Sequence, residues 1–330
     1  MKSHPLNNKE NSMPDTNYEA WKLRPVSELA TRPLPLLTPQ ESERYTIYSL
    51  ALMALTLRYW NGNKYGRNKL YPLNEAFEPV TNKRADGDYL GHNISAFAVD
   101  RDGLIIDFAF NHNEVYNSSV EHAEARLLKR IFSLSQIHDS WDTGRELSAK
   151  PYSTLMKEVT VYTTLESCAQ CSGMMALGQL KSVVFLQDDP GQYQVGNIMR
   201  NMTEGTPSPS PEPIPASAFG LPHFQRLSMA YQNFRVRPKV KENAIVLASD
   251  GTELRDSYSG SITSFLCTKA ARDIFKDGAD EFSSYKVAYP DWKPDAADAA
   301  QLTNAGVLKE AIAFVSYADS VARRGTSHKI

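Results

Sequence analysis

The chain has 330 residues, of which 42% are hydrophobic and 22% charged, and its formal net charge is −2 at pH 7. This composition is typical of a globular protein with one large core or two domains. The near-neutral charge argues against a protein that binds the phosphates of long nucleic acids. Three cysteines are too few for a disulfide framework, and a polar N-terminal sequence without any run of about 18 apolar residues predicts a cytoplasmic protein with no membrane partner.

The first predicted helix follows a long N-terminal segment. Residues 1–37 are polar and then proline-rich, and we expect them to be extended and without regular structure. Thr38 is a favourable N-cap, Pro39 suits the first helical position, and Glu41 completes a capping box. The sequence YTIYSLALMALTLRYW that follows is apolar over most of its circumference, which predicts a buried helix. A polar insertion is expected at residues 62–90.

Strands and helices then alternate along the chain. Apolar and β-branched residues predict strands at 94–100, 104–110, 158–165 and 182–187. A capping box of Ser118 and Glu121 predicts the start of a helix through HAEARLLKRIF, followed by an insertion at 136–156. A capping box of Ser167 and Gln170 predicts a second helix, SCAQCSGMMALGQL. This order indicates an α/β fold with one mixed sheet covered by helices.

The rest of the chain is expected to be mostly helical. Residues 205–216 are proline-rich and predict an exposed excursion, and ASAFGL predicts a short last strand. Helices are predicted within YQVGNIMRNM, PHFQRLSMAYQNF, SFLCTKAARDIF and VLKEAIAFVSYADSVA. We therefore expect an extended N-terminal segment, a main domain with three insertions, and a C-terminal extension that packs on it, at residues 1–37, 38–235 and 236–330.

Two helix starts carry residues that suit a metal. Cys168 and Cys171 are spaced i, i+3, so both can face one ion from a helix N-terminus, where the dipole favours thiolates. His122 and Glu124 point about 200° apart in mid-helix and can serve one site only at a helix end. Both helices follow the carboxyl end of a predicted strand, which is where open α/β sheets place ligands.

The residue types favour a catalytic zinc. Soft sulfur ligands favour zinc, and the three ligands His122, Cys168 and Cys171 leave one position of a tetrahedral ion for water. Zinc lowers the pKa of such a water towards 7, and Glu124 is placed beside the site to transfer protons. The sequence therefore predicts a Zn²⁺ site that activates water.

The motif H-A-E followed by T-L-E-x-C-x-x-C resembles the cytidine deaminase-like superfamily of zinc-dependent deaminases. The resemblance covers about residues 38–235 and implies a three-layer α/β/α fold with a mixed five-stranded sheet. It also implies that His122, Cys168 and Cys171 bind zinc, a ligand set similar to that of tRNA adenosine, guanine, deoxycytidylate and polynucleotide cytidine deaminases.

The resemblance also implies roles for residues around the metal. Glu124 would take a proton from the zinc water, protonate a ring nitrogen and pass a proton to the departing ammonia. The Ala123 N–H would contact a ring carbonyl, and Asn111, with Asn113 as a weaker candidate, would contact the base or sugar. Ser167 stands where the family usually has proline, and its carbonyl would accept from the leaving amine.

Structural interpretations stay open beside these functional ones. Asn111 would equally cap a turn, and Phe219 and His223 would form either an aromatic wall for a base or part of the core. Cys168 and Cys171 alone would also suit a redox pair. A structural zinc would need a fourth ligand, for which the candidates are Cys267, His112 and His223. Cys267 is otherwise expected to be a buried small hydrophobic residue.

The sequence thus predicts a hydrolase that replaces a ring amino group of a nucleobase, nucleoside or nucleotide by a carbonyl and releases ammonia. The acidic balance favours a small molecule over nucleic acid as the substrate. Two alternatives are a deaminase that edits tRNA or single-stranded nucleic acid, and a non-catalytic scaffold that retains a structural zinc. The identity of the base and the oligomeric state, including a homodimer, stay open.

Overall fold

A computed structural model of the chain describes residues 23–60, 91–113, 116–141, 155–235, 246–247, 253–254 and 261–322. The predicted insertion at 62–90 and most of that at 136–156 lie outside these residues. The helices are α1 Val26–Ala30, α2 Pro39–Arg58, α3 Ala123–Trp141, α4 Ala169–Leu177, α5 Val195–Thr203, α6 Pro222–Arg235, α7 Ile262–Phe265, α8 Lys269–Ser283 and α9 Asn304–Ala322. The strands are β1 Ser95–Val99, β2 Ile105–Phe110, β3 Thr160–Thr163, β4 Ser182–Phe185 and β5 Glu212–Pro215, with a separate short pair, β6 Val246–Leu247 and β7 Glu253–Leu254.

The main sheet has five strands in the order β2-β1-β3-β4-β5. Strand β1 is antiparallel to both of its neighbours, whereas β3, β4 and β5 are parallel to one another. The predicted mixed five-stranded sheet is therefore confirmed. Because β1 runs against its two neighbours, β2 and β3 point the same way, and their carboxyl ends lie at the same edge of the sheet. Helices α3 and α4 begin shortly after those ends.

Helices cover both faces of this sheet, as the three-layer fold class requires. Buried register partners form a row across all five strands, namely Phe108, Phe97, Tyr162, Val184 and Ile214. Tyr48 of α2 packs on this row, with its ring centroid 4.9 Å from that of Tyr162. Asp107 precedes Phe108 in β2 and so faces the opposite side, where Arg130 of α3 binds it at 2.6 Å. Helix α3 therefore covers the face that carries the candidate site.

Helix α2 begins as its sequence predicts. The Thr38 hydroxyl accepts from the Glu41 N–H at 3.2 Å, and the Glu41 carboxylate accepts from the Thr38 N–H at 2.8 Å. The middle of the helix, residues 47–56, is buried throughout. The predicted capping box and the predicted burial are both confirmed.

The fifth strand is not where the sequence placed it. Residues predicted as the strand ASAFGL instead form a 3₁₀-helix at Ala216–Phe219, and β5 lies within the predicted excursion at 205–216. The prolines explain the error. Strand β5 lies at the edge of the sheet, paired only with β4, so the missing N–H groups of Pro213 and Pro215 break no ladder bond on its outer side.

The N-terminal segment contains a short helix, α1, where no regular structure was expected. We define residues 26–37 as the N-terminal strap. Arg32 ties the strap to β5 by a guanidinium pair with Glu212, with Nε and Oε1 2.6 Å apart, and it also donates to Asn201 of α5 at 2.8 Å. Its pKa is raised, chiefly by the hydrogen bond with Glu212. Asn201 in turn donates to the Leu29 carbonyl at 2.7 Å.

The described C-terminal part is mostly helical, and both α8 and α9 contact α2. The helix predicted through SFLCTKAARDIF is two helices. The first, α7, ends at Phe265, and Thr268 caps α8 by accepting from the Ala271 N–H at 3.2 Å. Within the described residues, no helix is both long enough and apolar enough to cross a bilayer. A domain boundary at residue 235 stays a prediction, since residues 236–245 lie outside the described part.

Buried Glu43 of α2 anchors the loop between α8 and α9. Its carboxylate accepts from the N–H groups of Ala288 at 2.5 Å and Tyr289 at 3.0 Å, and from the Asn304 side-chain amide at 2.9 Å. One carboxylate thus satisfies three donors from the C-terminal part of the chain.

Glu43→Ala is expected to lower the free energy of unfolding by about 3 kcal/mol or more, because three donors lose a charged acceptor at a buried position. Urea unfolding measures the change. Glu28→Ala, which removes an exposed carboxylate paired with Arg24, is the control and should change stability by no more than about 0.5 kcal/mol. Equal effects of the two variants would contradict the anchoring role.

Candidate active site

Three predicted metal ligands meet at the edge of the sheet. The ligand atoms of His122, Cys168 and Cys171 all lie within 4.8 Å of one another. Nδ1 of His122 is 3.3 Å from Sγ of Cys168 and 3.7 Å from Sγ of Cys171. His122 immediately precedes α3, Cys168 is the N-cap of α4, and Cys171 lies in the first turn of α4. No further His, Cys, Asp or Glu of the described segments joins this group.

The helix starts that present these ligands differ from the predicted ones. Ser118 accepts from the Val120 N–H, and the Glu121 carboxylate binds Arg126 at 2.9 Å, so these residues form no capping box. Helix α3 begins at Ala123, four residues later than the capping box would require. The predicted start of α3 is therefore wrong, because Glu121 is held by the guanidinium instead of a backbone N–H.

The predicted capping box at α4 is also wrong. Cys168, not Ser167, is the N-cap, and no side chain caps the helix. Gln170 donates to the Val120 carbonyl at 2.9 Å, and the Ser167 hydroxyl donates to Glu124 at 3.1 Å. Both polar side chains bind the segment that carries His122 and Glu124 instead of the N-terminus of their own helix.

Asn111 provides the acceptor that α3 lacks. Its Oδ1 accepts from the Ala123 N–H at 2.7 Å, and the residue is 1% exposed. Asn111 follows β2 directly, so this bond ties the carboxyl end of the strand to the helix that presents His122. Because the Ala123 N–H already donates to Asn111, it could donate to a ring carbonyl of a substrate only by giving up this bond. Substrate contacts of Asn111 and Ala123 stay predictions.

Asn111→Ala is expected to destabilise the protein by about 1–2 kcal/mol, because the Ala123 N–H loses its acceptor. Asn111→Asp retains an acceptor oxygen and should keep most of that stability. Thermal unfolding and zinc content measure both variants. A stability for Asn111→Ala equal to that of the unchanged protein would show that this bond does not hold the helix start.

Glu124 is buried beside the ligand group. It is 4% exposed, and its Oε1 accepts from the hydroxyls of Thr163 and Ser167, each at 3.1 Å. Its Oε2 lies 3.5 Å from Sγ of Cys171. Burial raises the pKa of Glu124. The carboxylate thus adjoins the metal ligands on one side and is held by two hydroxyls on the other.

The sequence did not predict that Thr163 and Ser167 contact Glu124. The alternation of side chains along β3 could have placed Thr163. Tyr162 faces α2, so its neighbour Thr163 must face the opposite side of the sheet, towards α3 and α4. For Ser167 the capping motif pointed to the wrong partner.

The charges at the ligand group suit a divalent metal. Hydrogen bonding with the Cys171 thiol, followed by that with His122, lowers the pKa of Cys168 to about 4. The bond with Cys168 raises the pKa of His122, and the same thiolate together with burial raises the pKa of Cys171. One thiolate, a second sulfur and an imidazole nitrogen within bonding reach of one ion match the donor set that zinc prefers.

The other predicted substrate residues have structural partners. Asn113 donates to the Ser118 carbonyl at 3.0 Å. Phe219 stacks on Tyr45 with ring centroids 5.6 Å apart, and His223 lies with its Nε2 3.7 Å from Glu281. Both Phe219 and His223 are buried in the core, and a role in substrate binding stays a prediction for them and for Asn113.

The three candidate fourth ligands of a structural zinc lie outside the ligand group. Cys267 is buried, as expected, and its thiol donates to the Thr263 carbonyl at 3.5 Å. Burial lowers the pKa of His112 to about 4, and burial also lowers the pKa of His223. Among the described residues, the group therefore has three protein ligands.

Acidic residues border the same edge of the sheet. The Glu166 carboxylate accepts from the Asp189 N–H at 3.0 Å, and burial raises the pKa of Glu166 to about 7. Asp189 caps a short 3₁₀-turn at Pro190–Gln192, while Asp188 is exposed. A cavity of about 330 Å³ adjoins these residues and is bordered by Glu166, Ser167 and Asp188 together with Arg32 of the N-terminal strap.

Comparison with known proteins identifies this part of the chain. Residues 74–187 match the family model of the cytidine and deoxycytidylate deaminase zinc-binding region. The chain contains a cytidine deaminase-like zinc domain. The matched residues include the three ligands and Glu124, so family and geometry agree that the cofactor of this deaminase domain is zinc. No curated protein matches the chain.

Solved structures similar to this chain include a tRNA:A34 deaminase and two guanine deaminases. A tRNA:A34 deaminase is 19% identical, with 37% of this chain and 82% of that chain covered and a TM-score of 0.27. A guanine deaminase from Nitrosomonas europaea is 17% identical, with coverage of 60% and 90% and a TM-score of 0.31. A guanine deaminase from Bacillus subtilis is 20% identical, with coverage of 32% and 57% and a TM-score of 0.25. At these TM-scores the assignment rests on the family model and the site.

Proposed function

We propose that the protein is a zinc-dependent hydrolytic deaminase that replaces a ring amino group of a nucleobase, nucleoside or nucleotide by a carbonyl and releases ammonia. The observation that carries the proposal is the buried carboxylate of Glu124 beside a group of three ligands. A structural zinc has no use for a carboxylate at that position, whereas a hydrolytic reaction needs a group that moves protons.

The chain supplies the metal ligands and the proton carrier. His122, Cys168 and Cys171 would hold the zinc, which when bound lowers the pKa of a coordinated water towards 7. Glu124 moves protons at Oε2, the oxygen on the side of Cys171. Its carboxylate is buried beside the ligands, where a hydrolytic reaction needs a proton carrier.

The charges around the site favour a small substrate over a long nucleic acid. Asp188 borders the cavity beside Ser167, Asp189 follows it in the chain, and the chain has a formal net charge of −2. Such surroundings repel a string of phosphates, whereas an aminated heterocycle offers hydrogen-bond donors that carboxylates accept. Asn111, Asn113, Ala123 and Ser167 remain the proposed contacts of this substrate.

Ammonia release from a panel of substrates tests the proposal. The panel contains cytosine, adenine and guanine as free bases, nucleosides and nucleotides, with a tRNA transcript as the nucleic-acid arm. We expect release from at least one small substrate and none from tRNA. Activity on tRNA alone, with salt-dependent binding, would favour the editing alternative. Full zinc occupancy without release from any substrate would favour the scaffold.

A further inference from the structure

Two hydroxyl groups converge on one oxygen of Glu124. The side chains of Thr163 and Ser167 each donate to Oε1 at 3.1 Å, and both residues are buried. On the basis of the proposed function, we propose that Ser167, acting with Thr163, is a positioning residue that fixes the orientation of the Glu124 carboxylate relative to the zinc ligands.

The orientation of a carboxylate needs such support. Rotation about the last bond of a glutamate side chain is broad, so packing alone does not fix the plane of the carboxylate. Two donors on Oε1 hold that oxygen on the side of β3 and leave Oε2 towards Cys171, 3.5 Å from its Sγ. The hydroxyls thereby fix the plane of the carboxylate, so that its second oxygen points to the ligand group.

The hydroxyl pair joins the two halves of the metal site. Glu124 follows His122 at the start of α3, whereas Thr163 ends β3 and Ser167 immediately precedes Cys168. Each bond to Glu124 therefore ties the α3 half of the site to the strand and loop that lead to α4. A displacement of one half relative to the other would therefore separate the carboxylate from both donors.

Ser167 gives up a local bond to make this contact. Serine before a helix normally caps it, yet α4 has no side-chain cap and the Ser167 hydroxyl is directed to Glu124. The Ser172 hydroxyl donates to the Ser167 carbonyl at 3.3 Å and fixes the backbone of that residue. A proline at this position, as in the proteins that the motif resembles, offers no hydroxyl. Ser167 thus departs from the usual capping role of serine next to a group that moves protons, and such a departure is expected where a side chain serves function.

Ser167→Ala is expected to lower kcat by about tenfold or more, which is the usual range for losing one hydrogen bond to a charged group. KM should change by less than about twofold and zinc should stay at about one ion per chain, because neither substrate nor metal loses a ligand. Ser167→Thr restores a hydroxyl and should recover kcat to within about threefold of the unchanged protein. Thr163→Val should resemble Ser167→Ala.

Thr164→Val is the matched control for Thr163→Val. Thr164 is an equally buried neighbour whose hydroxyl accepts from the Ser95 N–H at 3.1 Å. Removing its hydroxyl costs stability but leaves kcat near that of the unchanged protein. A kcat for Ser167→Ala equal to that of the unchanged protein would overturn the proposal, as would a higher KM with kcat unchanged.

Unfolding of the zinc-free protein tests the contact without any substrate. A double-mutant cycle pairs Ser167→Ala with Glu124→Leu and compares their effects on the unfolding equilibrium constant. We expect a coupling of about threefold or more, since the two side chains are in direct contact. Additive effects would show that the hydroxyl does not hold the carboxylate and would overturn the proposal.

Failure of this proposal differs from failure of the proposed function. Ammonia release by Glu124→Gln at the rate of the unchanged protein would contradict the deaminase mechanism itself. An inactive Glu124→Gln beside a fully active Ser167→Ala would leave the deaminase standing and remove only the positioning role. If no panel substrate is turned over, the coupling between Ser167 and Glu124 in the unfolding experiment decides whether the hydroxyl holds the carboxylate.

Discussion

Glu124→Gln is expected to reduce ammonia release by about a thousandfold while zinc stays at about one ion per chain. The amide keeps the size of the side chain and an acceptor for Thr163 and Ser167, but it cannot take up and deliver a proton. Proton transfer by a positioned side chain contributes about 10²–10⁴-fold to an enzymatic rate, and the expected loss lies within that range. Single-turnover ammonia assays and metal analysis of the same sample provide the measurement.

A conservative change beside the site serves as the control for Glu124→Gln. Glu121→Gln removes a carboxylate from the same segment, where it pairs with Arg126 outside the ligand group. This variant should retain zinc and nearly all activity. If Glu124→Gln kept the rate of the unchanged protein, the proton carrier would have to be another group.

The second large effect is expected from the loss of a zinc ligand. Cys171→Ala should weaken zinc binding by more than about a hundredfold, because losing even a partner that only orients a ligand costs about 10–100-fold. Activity should fall with the metal. The variant should also lose the stabilisation that bound zinc gives to the folded state. Competition with a chelator of known affinity measures the zinc affinity. Thermal unfolding with and without zinc measures the stabilisation by the metal.

Cys267→Ala is the matched control, because Cys267 is equally buried but lies outside the ligand group. Its zinc affinity should equal that of the unchanged protein, although its unfolding temperature falls for loss of packing. Equal zinc affinity in Cys171→Ala and Cys267→Ala would rule out Cys171 as a ligand.

The sequence predicted the metal ligands and most of the sheet because both follow short-range rules. The i, i+3 spacing of Cys168 and Cys171 and the polar start HAE are visible within a few residues, and β-branched alternation marks β3 and β4. The capping box at Thr38 was predicted correctly since its partner lies three residues away and nothing else competes for it.

The wrong capping boxes have one physical cause, which is competition from other hydrogen-bond partners. Glu121, Ser167 and Gln170 all fit capping boxes, but Arg126 or the opposite half of the metal site offers their side chains another bond. Strand β5 was missed because proline is tolerated only at the edge of a sheet, and the sequence does not show which strand lies there. Contacts that join distant segments, such as Glu43 with Asn304, leave no local pattern at all.

The N-terminal strap has a practical consequence for anyone who shortens the chain. Its Arg32 neutralises carboxylates on β5 and at the end of α5, and backbone carbonyls of residues 29–31 satisfy side-chain amides of Asn197 and Asn201. A recombinant fragment that begins at residue 38, where the sequence suggested the domain starts, would lose these contacts with the strap and uncover one side of the cavity beside Ser167. A fragment that retains these contacts therefore has to begin upstream of the N-terminal strap, before Val26.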